Sequence, residues 1–311
     1  MTAETSAAAH WTHGLPPEPG VAKPDPILVA DDVRRQFGGL TAVDVEHLEV
    51  QRGAITALIG PNGAGKTTLF NLLTGFDEPD SGRWSFNGEQ IAPHGLRNKP
   101  LAAHRVARRG IVRTFQLTKS LALLPVIENM KLGATGQRGE HFWVGLLRPM
   151  WRSQERVIEE RAEEILGRFN LAHMRDEFAG SLSGGQRKLL EMARALMVEP
   201  ELVMLDEPMA GVNPALTQSL LQHIKNLRND GMTVVFVEHD MDVVYDISDW
   251  VVVLAEGRVI AEGPPQVIGT NPAVIDAYLG RHHDEPATEE ELEQQLAEAE
   301  AIIAQEAGDG P

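Results

Sequence analysis

The chain has 311 residues, a net charge of −17 and no cysteine. A chain of this length can bury a large core and is expected to form one or two domains. The lack of cysteine excludes disulfide frameworks and thiolate metal sites, and the acidic balance disfavours nucleic acid as a partner, because nucleic-acid binding depends on clusters of lysine and arginine.

The two ends of the chain differ in composition from the body between residues 27 and 280. Residues 1–26 lack the basic and apolar regions of a signal peptide and are rich in proline, so we predict a disordered leader. Residues 281–311 form an acidic tail, in which Thr288 and Glu291 make a capping box. The tail is therefore predicted to contain a short helix, which on its own would be marginal in water. No stretch approaches the roughly 20 apolar residues that span a bilayer.

The first predicted strand–loop–helix unit carries a phosphate-binding motif. An apolar run from Ala54 to Ile59 predicts a strand, and Leu69, Leu72 and Leu73 follow at helical spacing. The residues between them fit the P-loop pattern G-x-x-x-x-G-K-[ST], in which backbone amides surround the phosphates, the lysine contacts the β and γ phosphates, and the hydroxyl, here that of Thr67, ligates Mg²⁺. The predicted ATP-binding residues are Gly60, Pro61, Asn62, Gly63, Ala64, Gly65, Lys66, Thr67 and Thr68.

Between Gln116 and Ala179 the sequence pattern changes to helix. This change predicts a helical subdomain, at about residues 117–199, inserted into an α/β core. Its early part contains an aromatic patch formed by Phe142, Trp143 and Trp151. Packing against the following helices is the simpler interpretation of this patch, and a surface for a membrane partner is the alternative.

A second candidate anion site begins at Ser183. The residues that follow Gln186 have helical periodicity, so the segment predicts an exposed helix N-terminus, where backbone amides and the helix dipole favour an anion. Ser-Gly-Gly is also a common turn or N-cap. The predicted nucleotide contacts here are Ser183, Gly184, Gly185 and Gln186.

Two further apolar runs, Leu202–Leu205 and Val234–Val237, predict parallel strands that are covered on both faces. Each run ends in polar residues, and ligands of open α/β sheets bind beyond the carboxyl ends of the strands. Asp206 is predicted to hold Mg²⁺ through its water shell, and Glu207 is predicted to be the general base that activates water. An acidic pair after a strand is otherwise usually a helix cap.

With these three motifs in this order, the chain resembles the ABC ATPases from about Ile27 to Gly280. The resemblance implies an α/β P-loop NTPase fold with a mainly parallel core sheet, an antiparallel β subdomain and an inserted helical subdomain. It also implies an ATPase that converts ATP and water to ADP and phosphate. In this family the segment at Ser183 closes over ATP bound to the P-loop of another subunit, so the resemblance implies a dimer with two ATP molecules at its interface.

The remaining family positions are matched one by one. Gln116 resembles the Q-loop glutamine, which contacts magnesium and couples to the membrane partner. His239 resembles the switch histidine that contacts the γ-phosphate, although a histidine after a strand is by default a polar strand end. Phe37 stands where the family places an aromatic ring on adenine. Asn213 departs from the usual aspartate of the D-loop and keeps a hydrogen-bonding carbonyl without the charge.

Five further segments carry a narrower resemblance: Phe37–Val43, Arg113–Gln116, Ala210–Pro214, Glu238–Met241 and Asn271–Gly280. Together they resemble the ATP-binding subunits of high-affinity branched-chain amino-acid importers. This resemblance implies work at the cytoplasmic face of the plasma membrane with a second ATPase subunit, identical or different, two integral membrane permease subunits and an extracytoplasmic substrate-binding protein. Importers of urea and short amides and the ATPase of lipopolysaccharide export have similar subunits. Soluble ABC ATPases of translation or DNA maintenance are disfavoured, because they carry two cassettes or long coiled coils.

Overall fold

A computed structural model of the chain describes residues 11–12, 14–92, 100–114, 122–135 and 152–279. In chain order the strands are β1 (Pro26–Phe37), β2 (Leu40–Gln51), β3 (Ile55–Ile59), β4 (Ser81–Phe86), β5 (Glu89–Ala92), β6 (Ile111–Arg113), β7 (Leu202–Asp206), β8 (Thr233–Val237), β9 (Trp250–Ala255) and β10 (Arg258–Gly263). The helices are α1 (Lys66–Leu73), α2 (Ala103–Ala107), α3 (Val126–Lys131), α4 (Arg152–Arg168), α5 (Gly184–Ala195), α6 (Pro214–Asn229), α7 (Met241–Ile247), α8 (Pro265–Ile268) and α9 (Pro272–Leu279).

The strands form two sheets. An antiparallel sheet has the order β2-β1-β4-β5, and a six-stranded sheet has the order β10-β9-β3-β8-β7-β6. Within the second sheet every neighbouring pair is parallel except β9 with β10. Every residue of β3 and of β8 is buried, as expected for continuous apolar strands with both faces covered. The predicted combination of a mainly parallel core sheet and an antiparallel subdomain is confirmed.

The six-stranded sheet separates two hydrophobic clusters. Because side chains alternate along a strand, Ile55, Ala57 and Ile59 of β3 enter one cluster together with apolar residues of the helical segment. Leu58 enters the other cluster, which also holds the apolar side chains of the antiparallel sheet. Helices therefore cover one face of the central sheet, and the antiparallel sheet and α1 cover the other.

Between β6 and β7 the described residues form helices joined by turns and loops, without a strand, and with one isolated bridge between Pro125 and Phe178. The apolar faces of α3, α4 and α5 join one cluster, to which Met130, Leu166 and Leu190 contribute fully buried side chains. This arrangement confirms the inserted helical subdomain of the predicted fold. The proposed limits of 117 and 199 stay predictions, and the aromatic patch of Phe142, Trp143 and Trp151 lies outside the described residues.

The N-terminal segment differs from the expected disordered leader. The Nζ of Lys23 lies 3.0 Å from Oε2 of Glu262 in β10, and the amide of Val21 donates to Oε1 of the same carboxylate at 2.8 Å. The Trp11 ring lies 5.5 Å from that of Trp250. The described residues of this segment, 11–12 and 14–25, are thus held on the body by a buried ion pair and by apolar contacts of Trp11, Leu15 and Val21. The acidic tail and its predicted helix lie outside the described ranges.

None of the helices within those ranges combines the length and the hydrophobicity of a membrane-spanning helix.

Candidate active site

The loop between β3 and α1 is held so tightly that two of its positions accept only glycine. Gly60, Gly63 and Gly65 all have positive φ angles, of 147°, 75° and 99°, a region that favours glycine. A Cβ atom on Gly60 would lie 2.0 Å from the carbonyl oxygen of Leu254, and one on Gly65 would lie 2.2 Å from that of Ala42. The loop is therefore pressed between β9 and β2, and its backbone is shaped before any ligand arrives.

The N-terminus of α1 is open to an anion. No side chain caps this helix, and its first turn contains no acidic residue, so its amides and its dipole can act on a bound phosphate. Lys66 directs its ammonium group into the loop, where it donates to the carbonyl oxygens of Gly60 at 2.6 Å and Pro61 at 3.0 Å. Thr67 is exposed at the start of the helix. These residues fit a triphosphate and its metal ion.

The carboxyl ends of three neighbouring strands meet beside this loop. Asp206 ends β7 and pairs with Val237 of β8, which in turn pairs with Leu58 of β3. Glu207 is exposed and adopts a left-handed backbone with φ of 44°, while its amide donates to the carbonyl oxygen of Val237 at 3.1 Å. A non-glycine residue in this conformation is strained, and such strain clusters at active sites.

A buried carboxylate positions the segment that carries His239. The Glu238 side chain is 2% exposed, and it accepts hydrogen bonds from the amides of Met209 at 3.0 Å and His239 at 3.3 Å. Burial raises the pKa of Glu238, and these two amides oppose the rise. The His239 ring is 69% exposed and lies at 3.8 Å from the same carboxylate. Glu238 thus ties the segment after β7 to the segment after β8.

Sequence reasoning placed Glu238 at a strand end but did not include it among the site residues. The signal was the acidic residue that closes an apolar strand. Its role depends on the amide of Met209, which is 29 positions away in the chain.

The segment at Ser183 shows both features that the sequence suggested. Ser183 is the N-cap of α5 and forms a capping box with Gln186: its hydroxyl accepts from the Gln186 amide at 3.3 Å, and the Gln186 side chain accepts from the Ser183 amide at 2.9 Å. Gly185 is buried against α6, and a Cβ atom there would lie 1.6 Å from the Leu216 side chain. Ser183 and Gly184 are exposed. The helix start is therefore built as a cap and is also accessible to a partner.

The side chains of Phe37 and Asn213 make contacts with residues near them in the chain. The exposed Phe37 ring lies beneath the Arg35 guanidinium, 4.7 Å from its centroid. Phe37 pairs with Leu40, two residues before Ala42, whose carbonyl oxygen contacts the P-loop. The carbonyl oxygen of the Asn213 side chain accepts from the Leu216 amide at 3.0 Å and caps α6. Gln116 lies outside the described residues, and its role stays a prediction.

Comparison with known proteins agrees with this geometry. The family model described as ABC transporter matches residues 43–210, and one described as branched-chain amino acid ATP-binding cassette transporter matches residues 258–284. The chain is 41% identical to the high-affinity branched-chain amino acid transport ATP-binding protein BraF of Pseudomonas aeruginosa, over 82% of this chain and 98% of that protein. It is 39% identical to the corresponding protein LivG of Escherichia coli, with the same coverage.

Solved structures give the same result. The ADP conformation of an ATP-binding cassette of an ABC transporter is 36% identical in sequence and has a TM-score of 0.71, over 82% of this chain and 99% of that one. A nucleotide-free cassette from an ABC transporter, also 36% identical, has a TM-score of 0.70, over 81% and 98%. The chain therefore belongs to the ABC transporter family and is an ATPase subunit of that family.

Proposed function

We propose that this ATPase subunit powers the uptake of branched-chain amino acids through separate membrane subunits. The observation that carries the proposal is the convergence of the P-loop, Asp206 and Glu207 at the carboxyl ends of β3, β7 and β8. The names of the relatives and the match of residues 258–284 to the branched-chain family model support the choice of substrate. Importers of urea or short amides and a lipopolysaccharide-export ATPase are the alternatives.

Each residue of the site has a distinct role in the proposed reaction. The amides of the P-loop and the Lys66 ammonium hold the phosphates, and Phe37 contacts the adenine. Thr67, Asp206 and Gln116 would hold Mg²⁺, which would supply positive charge to stabilise the phosphates. Glu207 accepts a proton from the attacking water. The strained backbone of Glu207 fixes the direction in which its carboxylate leaves the strand.

A second ATPase subunit completes the proposed site. Ser183 and Gly184 are exposed at the start of α5, so they can contribute to ATP bound by the P-loop of another subunit, identical or different. The capping box fixes this helix start before the partner arrives, which lowers the entropic cost of closure. His239, with most of its ring exposed, is available for the γ-phosphate in the same closed state.

The membrane subunits dock, in this proposal, at a cavity of about 300 Å³ between β6 and the helical segment. Its wall includes Val112 and Thr114 on one side and Leu132, Glu191 and Arg194 on the other. Side chains of a short cytoplasmic permease helix would enter this cavity, and the exposed Leu132 offers the helix an apolar contact. The protein would then work at the cytoplasmic face of the plasma membrane. An extracytoplasmic substrate-binding protein would act through the permeases.

Hydrolysis is tested by Glu207→Gln. This change removes the proton acceptor and keeps Lys66, Thr67 and Asp206, so we expect ATP turnover to fall by roughly 10²- to 10⁴-fold while ATP binding is retained. Glu199→Gln is the matched control, because Glu199 is also a glutamate with a left-handed backbone, at φ of 55°, and lies away from the three strand ends. Turnover of Glu207→Gln near the parent rate would remove Glu207 from its proposed role.

The substrate is tested with the purified membrane complex in proteoliposomes that contain ATP. We expect ATP-dependent uptake of radiolabelled leucine, isoleucine and valine, and loss of that uptake with Glu207→Gln. Uptake of urea or acetamide without leucine would favour the alternative importers. Purification with ribosomes or DNA and without integral membrane proteins would contradict a transport function.

A further inference from the structure

Arg113, the last residue of β6, joins two parts of the active site. Nη2 of its guanidinium lies 2.5 Å from Oδ2 of Asp206, and Nη1 lies 2.5 Å from Oδ1 of Asn71 on α1. The side chain is only 7% exposed, and its guanidinium lies 5.7 Å from the centre of the Phe70 ring. Arg113 is therefore held between the strand that carries Asp206 and the helix that begins at the P-loop.

The pair leaves half of the Asp206 carboxylate available. The Asp206 side chain is 28% exposed, and across the residues that the structure describes Oδ1 takes part in no hydrogen bond or ion pair. One oxygen is thus fixed by Arg113 while the other remains open. A fixed oxygen restricts rotation of the carboxylate, so the open oxygen is presented in one direction only.

The hydrogen bond from Nη1 of Arg113 connects it to α1. Asn71 stands four residues after Thr67, and residues four apart lie on the same side of a helix. The guanidinium therefore connects, through one rigid planar group, the helix face that carries the Thr67 hydroxyl and the carboxylate of Asp206. These are two of the three residues proposed to hold Mg²⁺.

We infer that Arg113 is a positioning residue for the magnesium site. Arg113 orients Asp206 toward the ion and holds α1, which carries Thr67, in place beside Asp206. The inference rests on the proposed function, because it concerns the ion that accompanies ATP. Arg113 does not contact ATP or the reacting atoms in this account, and acts through Asp206 and Asn71.

The charge of Arg113 and its geometry should have opposite effects on magnesium binding. Its positive charge lies beside Asp206 and by itself weakens the attraction of that carboxylate for a cation. Its forked geometry holds two partners at once, which a lysine ammonium does not reproduce. If Arg113 acted only through charge, Arg113→Met would tighten magnesium binding and Arg113→Lys would leave it unchanged. If Arg113 positions Asp206, both substitutions weaken magnesium binding.

The experiment measures binding of a fluorescent ATP analogue to the full-length chain, once with MgCl₂ and once with EDTA. For Arg113→Met and Arg113→Lys we expect the affinity gained from Mg²⁺ to fall by about 10-fold or more, the usual effect of removing a group that orients a metal ligand, and the affinity in EDTA to be unchanged. Asn71→Ala, which removes one arm and leaves the ion pair intact, should change the magnesium effect in the same direction. A retained magnesium effect in both Arg113 variants, or tighter magnesium binding in Arg113→Met, would overturn the inference.

Arg109→Met is the matched control. Arg109 is four residues earlier and also holds a carboxylate through two nitrogens, with Glu89 at 2.9 and 2.7 Å, on the surface. Its variant should behave like the parent in both media, and an equal loss in this control would show that the effect is not specific to Arg113. If the parent chain itself gained no affinity from Mg²⁺, the proposed function would fail, which is a different outcome from failure of the Arg113 inference.

Discussion

The six-stranded sheet has an ion pair at each of its edge strands, and the two pairs are built differently. At the β10 edge, both oxygens of Glu262 are used: Oε2 accepts from Lys23 and from the Trp250 ring at 3.0 Å each, and Oε1 accepts from the Val21 amide at 2.8 Å. The Lys23 and Glu262 side chains are 1% and 0% exposed. At the β6 edge, Arg113 uses one oxygen of Asp206 and leaves the other open.

We interpret this difference as one between a structural ion pair, Lys23–Glu262, and a proposed functional one, Arg113–Asp206. A buried pair whose hydrogen bonds are all satisfied fixes a segment, here the N-terminal residues on β10, and offers nothing to a ligand. A pair with an open oxygen at the carboxyl end of a parallel strand can receive a cation. The Lys23–Glu262 pair is the more deeply buried of the two, so burial alone would have selected it as the candidate site. The open oxygen of Asp206 is the better indicator of a ligand site.

The largest expected change in stability comes from breaking the buried ion pair between Lys23 and Glu262. Glu262→Gln leaves the Lys23 charge buried without its partner, which should lower the free energy of unfolding by roughly 3–5 kcal/mol. Burial already lowers the pKa of Lys23, and Glu262 opposes that shift. Urea unfolding followed by circular dichroism measures the change. Adding Lys23→Met to Glu262→Gln should recover most of the loss, because the unpaired charge is then gone.

The same variant tests the separation of roles. Glu262→Gln should bind ATP at low temperature with the full magnesium effect, in contrast to Arg113→Met. A change in stability of less than about 1 kcal/mol, within the range of an exposed pair, or a lost magnesium effect in Glu262→Gln, would break the distinction between the two edges.

A smaller change in stability is expected from substitution of Glu191, which lines the same cavity as Arg113. Burial raises the pKa of Glu191 from 4.5 to about 7, with Asp206 adding to the rise and Lys188 and Arg194 opposing it. Because the folded chain then binds more protons than the unfolded chain between these two pH values, its free energy of unfolding falls as pH rises through that window.

Glu191→Gln removes this dependence. At pH 8 the variant should be more stable than the parent by up to about 3 kcal/mol, and near pH 4.5 the two should be similar. Unfolding free energies at a series of pH values measure the difference. Glu164→Gln, at an exposed position of α4, is the control. A parent and variant with the same pH profile would show that Glu191 is not desolvated in solution.

The smallest expected change in stability is at Asn213. It gives the cost of losing a single exposed hydrogen bond, with which the losses at the two edge ion pairs can be compared. Asn213→Ala removes the side-chain acceptor that caps α6 and should cost about 1 kcal/mol of stability. Asn213→Asp keeps an acceptor and should be close to neutral. Thermal unfolding measures both. An alanine variant as stable as the parent would mean that the Leu216 amide finds another acceptor.

The parts of the site that sequence reasoning found are those carried by neighbouring residues. The P-loop from Gly60 to Thr67 and the Ser183–Gln186 segment are each a short run whose pattern contains the chemistry, so their positions could be predicted without a structure. The same holds for Asp206 and Glu207, because an apolar run marks the strand that carries them. These runs predicted an α/β core, whereas the antiparallel subdomain was expected only from the resemblance to ABC ATPases.

The parts that sequence reasoning missed depend on partners far apart in the chain. Arg113 and Asp206 are 93 positions apart, and Lys23 and Glu262 are 239 positions apart. No local pattern marks either pair, and proline content in the N-terminal segment predicted disorder where Lys23 is in fact buried. Tertiary packing, which overrides local propensity, supplies these contacts.

In the mechanism that we propose, the P-loop captures ATP and Ser183 completes the site from another subunit. The most direct test is the affinity of the isolated monomer for ATP in two variants, Lys66→Ala and Ser183→Arg. The account predicts that Lys66→Ala loses monomer binding, whereas Ser183→Arg binds ATP like the parent but no longer hydrolyses it. Equal loss of monomer binding in both variants would contradict it.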